Sequence, residues 1–165
     1  MQRPYNVLIL CTGNSARSIM GEALFNTLGA GRFRAFSAGS HPTGRVNPLA
    51  VEQVELLGHA TETLRSKSWD EFARADAPEL DFVITVCDRA AGEVCPLWPG
   101  KPITAHWGFP DPAAVEGTEE EKRGAFARTL TQMKRRVELF VALPAETLDR
   151  LALEAKMRAI GQEPL

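Results

Sequence analysis

Residues 5–38 read YNVLILCTGNSARSIMGEALFNTLGAGRFRAFSA. Two strand-like runs, Tyr5–Leu10 and Phe33–Ala38, flank a stretch in which Met20, Ala23, Leu24, Thr27 and Leu28 recur at helical spacing. Gly29 and Gly31 supply the helix stop. The pattern predicts strand, helix, strand, the unit that lays two neighbouring strands parallel. The first strand ends on Cys11, and the loop Thr12-Gly-Asn-Ser-Ala-Arg-Ser18 leads from it into the helix.

The same alternation continues. Asp81–Val86 and Ile103–Trp107 read as two more strands, and Asn47–Leu57 reads as a helix opened by Asn-Pro and closed at Gly58. Thr118-Glu-Glu-Glu121 has capping-box spacing and opens a long helix with Phe126, Leu130, Met133, Val137 and Phe140 on one side. Its acidic start and its Lys134-Arg135-Arg136 run suit the helix dipole and read as a solvated face. The expected fold class is α/β: a three-layer open sandwich with a four-stranded parallel sheet and helices on both faces. Residues 1–143 form the expected domain. Pro144 sets off 144–165, where Leu148–Ile160 is expected as an accessory helix packed on that same domain, with docking of a partner as the alternative.

The chain has 165 residues, 44% of them hydrophobic and 24% charged, with a formal net charge of −2. That length suits one soluble domain with a sizeable core. No basic block suggests nucleic acid, and the apolar run before Cys11 is too short for a membrane span or a secretory segment. A cytoplasmic monomer is expected. Cys11, Cys87 and Cys95 are an odd number of thiols, which favours free, catalytic or redox-cycling cysteines over static disulfides.

Ligands of a parallel sheet bind beyond the carboxyl ends of its strands. Cys11 stands at such an end. The loop after it can curl with its N–H groups inward, using Gly13 and Asn14 for positive φ, while the helix starting near Ser15 adds its positive pole. Thr12, Gly13, Asn14, Ser15, Ala16 and Arg17 would then cradle a tetrahedral oxyanion, with the Arg17 fork on two of its oxygens. The same field, with the Ser18 hydroxyl, should lower the Cys11 pKa from its free value of about 8.5 and make a nucleophile of it. The bland alternative is a buried strand-end cysteine before an ordinary turn.

The motif Cys-Thr-Gly-Asn-Ser-x-Arg-Ser resembles the signature of the low-molecular-weight protein tyrosine phosphatases, and is closer still to their relatives, the thioredoxin-coupled arsenate reductases. Ser37-Ala38-Gly39, Val46-Asn47-Pro48, Thr85-Val86-Cys87-Asp88, Cys95-Pro96 and His106-Trp-Gly-Phe-Pro-Asp-Pro112 extend the resemblance over residues 5–142. It implies that Cys87 attacks Cys11, that Cys95 then attacks Cys87, and that thioredoxin, rather than glutaredoxin, restores the dithiol. It also implies that Asp111 protonates a departing oxygen. An N-cap before Pro112 is the structural alternative for that aspartate. Eight residues along a rigid helix would separate Cys87 from Cys95 by about 12 Å, whereas a disulfide needs Cα atoms within about 7 Å. The segment 88–94 is therefore expected to bend or unwind.

In some of these reductases the positions of Asn14, Glu22 and Ser37 line a potassium-supported region. Here Lys67 stands where oxygen ligands are offered, so its ammonium could replace the cation; an exposed lysine is the alternative. His41, His59 and His106 lack clustered ligand spacing, so neither a metal nor another cofactor is expected. Two other functions are considered. One is a phosphatase cleaving phosphate monoesters through a phosphocysteine at Cys11, disfavoured because Asp111-Pro112 is followed by alanines rather than tyrosine. The other is a non-enzymatic oxyanion-sensing or partner-binding module.

Overall fold

The computed structural model describes residues 3–93 and 96–165. Four strands, β1 (Tyr5–Leu10), β2 (Phe33–Ala38), β3 (Phe82–Thr85) and β4 (Ile103–His106), form one sheet in the order β2-β1-β3-β4. Every pairing is parallel, with Leu10 beside Ala38 on one side and Thr85 on the other. The chain leaves β1 in one direction to build β2 and returns across it to build β3. The crevice of such a sheet opens beyond the ends of the central strands, and Cys11 and Cys87 both lie there.

The helices are α1 (Arg17–Leu28), α2 (Pro48–Leu56), the one-turn α3 (Asp88–Ala91), α4 (Glu119–Val141) and α5 (Arg150–Ile160). Strand alternation divides the core. Val7, Ile9 and Ile84 face Met20, Phe25, Met133 and Phe140 under α1 and α4, whereas Leu8, Leu10 and Val83 face Phe72, Leu80 and Trp98. A 3-10 turn at Trp69–Phe72 and irregular chain cover that second face. Gly21 lets α1 approach closely: a Cβ there would stand 3.1 Å from Ile9 and 3.2 Å from Met133.

The expected capping box opens α4: Thr118 Oγ1 accepts from the Glu121 N–H at 3.1 Å, and Glu121 Oε1 accepts from the Thr118 N–H. Such a cap is worth about 1 kcal/mol. Helix α5 lies against β4, burying Leu153, Met157 and Ile160, and Trp107 Nε1 donates to the Met157 carbonyl at 2.9 Å. No helix among the described residues is long and apolar enough to cross a membrane.

The solvated face expected for Lys134-Arg135-Arg136 is wrong at one position. Arg136 is only 4% exposed. It donates to the carbonyls of Gly108 at 3.0 Å and Glu163 at 2.8 Å, and it stacks over the Phe109 ring. The cation is buried because these carbonyls and the aromatic face replace its water.

Candidate active site

Strand β1 delivers Cys11 to a cavity of about 460 Å³ lined by Arg17, His41, Cys87, Arg89 and Asp111 as well as the loop itself. The loop is shaped from behind. The Thr12 carbonyl accepts from His41 N–H, that of Gly13 from Thr43 N–H and Ser66 Oγ, and that of Ser15 from Asn47 N–H, at 2.8–3.1 Å. In a trans peptide the N–H points opposite the carbonyl. Three outward carbonyls therefore turn the N–H groups of Gly13, Asn14 and Ala16 inward. Gly13 N–H donates to the Cys11 sulfur.

Of the two residues expected at positive φ, only Asn14 adopts it, at 46°. Its side chain explains why: Oδ1 accepts from Lys67 N–H at 2.9 Å and Nδ2 donates to Ser18 Oγ at 2.8 Å. Helix α1 begins at Arg17, two residues later than expected, with Ala16 as its N-cap. Gly39 closes the back of the loop. A Cβ there would collide with the Thr12 carbonyl oxygen and come within 2.6 Å of that of Cys11.

Arg17 is held at the rim. Nη1 donates to the Phe109 carbonyl at 2.8 Å, and Nη2 lies 3.7 Å from Asp111 Oδ2. Asp111 also fulfils the structural alternative: its Oδ1 caps the 3-10 turn Pro112–Ala114 by accepting from Ala113 N–H at 3.0 Å. The carboxylate thus faces the arginine and the turn together. Arg136, through Gly108, fixes the segment that supplies the Phe109 carbonyl.

The two described thiols meet. Both are buried and free, line the same cavity and stand near enough for each to shift the other's titration. Cys87 also receives the Thr12 N–H at 3.4 Å and the Ala90 N–H of α3. The neighbouring Cys11 and these donors hold the Cys87 pKa down to about 5, whereas Cys87 and burial push Cys11 up against the pull of Arg17 and Gly13. The two sulfurs share one negative charge: Arg17 and the Gly13 N–H draw it toward Cys11, and the donors of Thr12 and α3 draw it toward Cys87. Ser18 Oγ accepts from Asn14 Nδ2 at 2.8 Å, which leaves its own hydroxyl proton to donate.

Helix α3 ends at Ala91, so the chain after Cys87 is one helical turn and not a rigid rod. Cys95 lies outside the described residues. His41, Arg89 and Glu93 went unrecognised in the sequence. Thr12 Oγ1 donates to Glu93 Oε1 at 2.8 Å, and His41 Nδ1 lies 3.6 Å from Glu93 Oε2. The first of these contacts joins chain 81 residues apart, and no local pattern announces either.

Lys67 is not an exposed lysine. Its side chain is 9% exposed, with Nζ 3.0 Å from the Arg65 carbonyl and 3.9 Å from Glu22 Oε1, which accepts from Ser37 Oγ at 2.8 Å. Burial raises the Glu22 pKa and lowers that of Lys67, each opposed by the other's charge. A potassium ion brought to Glu22 would meet a like charge.

A parallel α/β domain with a Cys-x5-Arg oxyanion loop after its first strand defines a cysteine-dependent oxyanion-handling class. The family model for low molecular weight phosphotyrosine protein phosphatase matches residues 6–153, and the chain belongs to that family. It is 37% identical over 134 residues to an arsenate reductase of Halalkalibacterium halodurans, covering 81% of this chain and 93% of the relative. An arsenate reductase structure from Archaeoglobus fulgidus superposes with a TM-score of 0.67 at 30% identity, over 83% of this chain and 99% of that one. A thioredoxin-dependent arsenate reductase of Corynebacterium glutamicum superposes with a TM-score of 0.54 at 26% identity, over 84% of this chain and 65% of that one.

Proposed function

We propose that this chain reduces arsenate to arsenite with electrons from its own thiols. The single observation that carries the reading is the presence of two free thiols, Cys11 and Cys87, in the wall of one oxyanion cavity. Ester hydrolysis needs one sulfur, whereas two-electron reduction needs a second within reach.

Arsenate binds with its oxygens on the inward N–H groups and on Arg17. The shared proton passes to Cys87, and the Cys11 thiolate attacks arsenic. Asp111 protonates the departing oxygen, which leaves as water. Cys87 gives its proton to the Asp111 carboxylate left by that step, in the same cavity, and attacks the Cys11 sulfur. The sulfur–arsenic bond breaks, its electron pair stays on arsenic as arsenite, and a Cys11–Cys87 disulfide remains. Cys95 then attacks Cys87 and frees Cys11, and the dithiol of thioredoxin reduces the Cys87–Cys95 disulfide.

We take the chain to act as a monomer, and a cytoplasmic thiol pool suits the cycle. Lys67 supplies the charge for Glu22, so no potassium is required. The Arg17–Asp111 pair also favours weak hydrolysis of phosphate monoesters through Cys11. Single replacements Cys87→Ser and Cys95→Ser test the assignment. Thioredoxin-linked arsenate turnover should stop in both while ester hydrolysis persists; arsenate turnover in both variants would refute the relay.

A further inference from the structure

Thr12 has one hydroxyl proton and two acceptors beside it. Its Oγ1 lies 2.8 Å from Glu93 Oε1 and 3.7 Å from the Cys87 sulfur. A hydroxyl donates once at a time, and the shorter contact to a carboxylate takes the proton. Glu93 is itself held in place: Oε2 is 3.6 Å from His41 Nδ1, Ser40 donates to the carboxylate, and Ser40 Oγ is 2.9 Å from His41 Nδ1.

We propose that Glu93 is a positioning residue that restrains Cys87: it claims the Thr12 hydroxyl proton and so withholds a hydrogen bond from the second thiolate. While Glu93 is engaged, Cys87 keeps the backbone donor of Thr12 at 3.4 Å, and the hydroxyl, 3.7 Å away, contributes only weakly. When Glu93 leaves, the Thr12 hydroxyl turns to Cys87 and stabilises its anion. Because Glu93 follows α3 directly, strain in that segment is transmitted to the acidity of Cys87 through one side chain. The other charges facing this cluster are Arg89 on α3, His41 behind the loop and Arg17 across the cavity. The Asp88 carboxylate is turned away to His106 Nε2 at 2.8 Å.

The inference builds on the relay proposed above, but its test needs no arsenate. Alkylation of the full-length reduced protein is followed against pH and resolved by peptide, so the Cys87 midpoint is read whatever the substrate. Glu93→Ala should move that midpoint to lower pH by about one unit, the scale of one hydrogen bond to a charged group. Glu93→Gln, which keeps an oxygen toward Thr12, should move it less. Loss of the Glu93 charge alone would also favour the thiolate, and the Thr12→Val background separates the two causes. There the hydroxyl is gone, and Glu93→Ala should shift the midpoint much less than it does beside Thr12. No shift from Glu93→Ala, equal shifts from Ala and Gln, or an equal shift in both backgrounds would overturn the proposal.

Discussion

The Cys87 sulfur accepts a hydrogen bond from the backbone N–H of Thr12 at 3.4 Å, so the thiol beyond β3 is fastened to the residue that follows the thiol beyond β1. The sheet order makes this possible by setting β1 beside β3 in register. The charge shared by the two sulfurs has a direct consequence. Cys87 is lowered to about 5, so its thiolate is present above that pH and lost as pH falls through it. Peptide-resolved alkylation should show the thiol pair losing its first proton with a midpoint far below the 8.5 or so of a free thiol. A midpoint near 8.5 contradicts the shared charge.

Asp111 both caps the turn Pro112–Ala114 and faces Arg17. Asparagine caps as well as aspartate but cannot give up a proton. Asp111→Asn should keep its stability within about 0.5 kcal/mol and lose about 10²-fold in kcat for phosphate monoester hydrolysis. Urea unfolding and steady-state kinetics separate the two effects. An unchanged kcat would leave Asp111 as a cap alone.

Gly39→Ala places a methyl group against the carbonyl oxygens of Cys11 and Thr12. The loop must shift outward, taking its N–H groups out of register with a tetrahedral anion. Phosphate affinity, measured by calorimetry, should fall at least tenfold (about 1.4 kcal/mol). Unaltered affinity would show that the loop does not depend on the close packing of β2.

Lys67→Met leaves the Glu22 carboxylate buried without a cation. Glu22 is already raised by burial, so its ionisation in the folded state opposes stability as pH rises above the ordinary carboxylate range. The variant should be about 3 kcal/mol less stable at neutral pH, with the difference shrinking as pH falls and Glu22 is protonated. Potassium chloride should restore part of the loss in the variant and do nothing specific to the parent. Thermal unfolding across pH in potassium and sodium salts provides the comparison.

Strands β1 and β2 were legible to the residue, because each is an uninterrupted run bounded by turn-forming chain. Strands β3 and β4 are shorter than their apolar runs suggest. Asp81 stands just before β3; its backbone bonds to Asn6 and Ile103, and its carboxylate accepts from Asn6 N–H and Arg3. The Cys-x5-Arg loop and the capping box were legible because their chemistry is local. Arg136, Lys67 and Glu93 were not. Each is a charged residue whose surroundings come from distant chain: Phe109 and Gly108 for the first, Glu22 for the second, Thr12 for the third. Burial of a charge depends on tertiary partners, and no local spacing encodes those.

The central claim is that two thiols of one chain supply both electrons to arsenic. The most direct measurement treats the fully reduced protein with arsenate in the absence of thioredoxin and reads arsenite released together with intact mass. The account predicts one arsenite per chain and the loss of two hydrogens from the protein, both abolished by Cys87→Ser. Arsenite released by the Cys87→Ser protein, or arsenate bound by the parent with its mass unchanged and no arsenite formed, would contradict it.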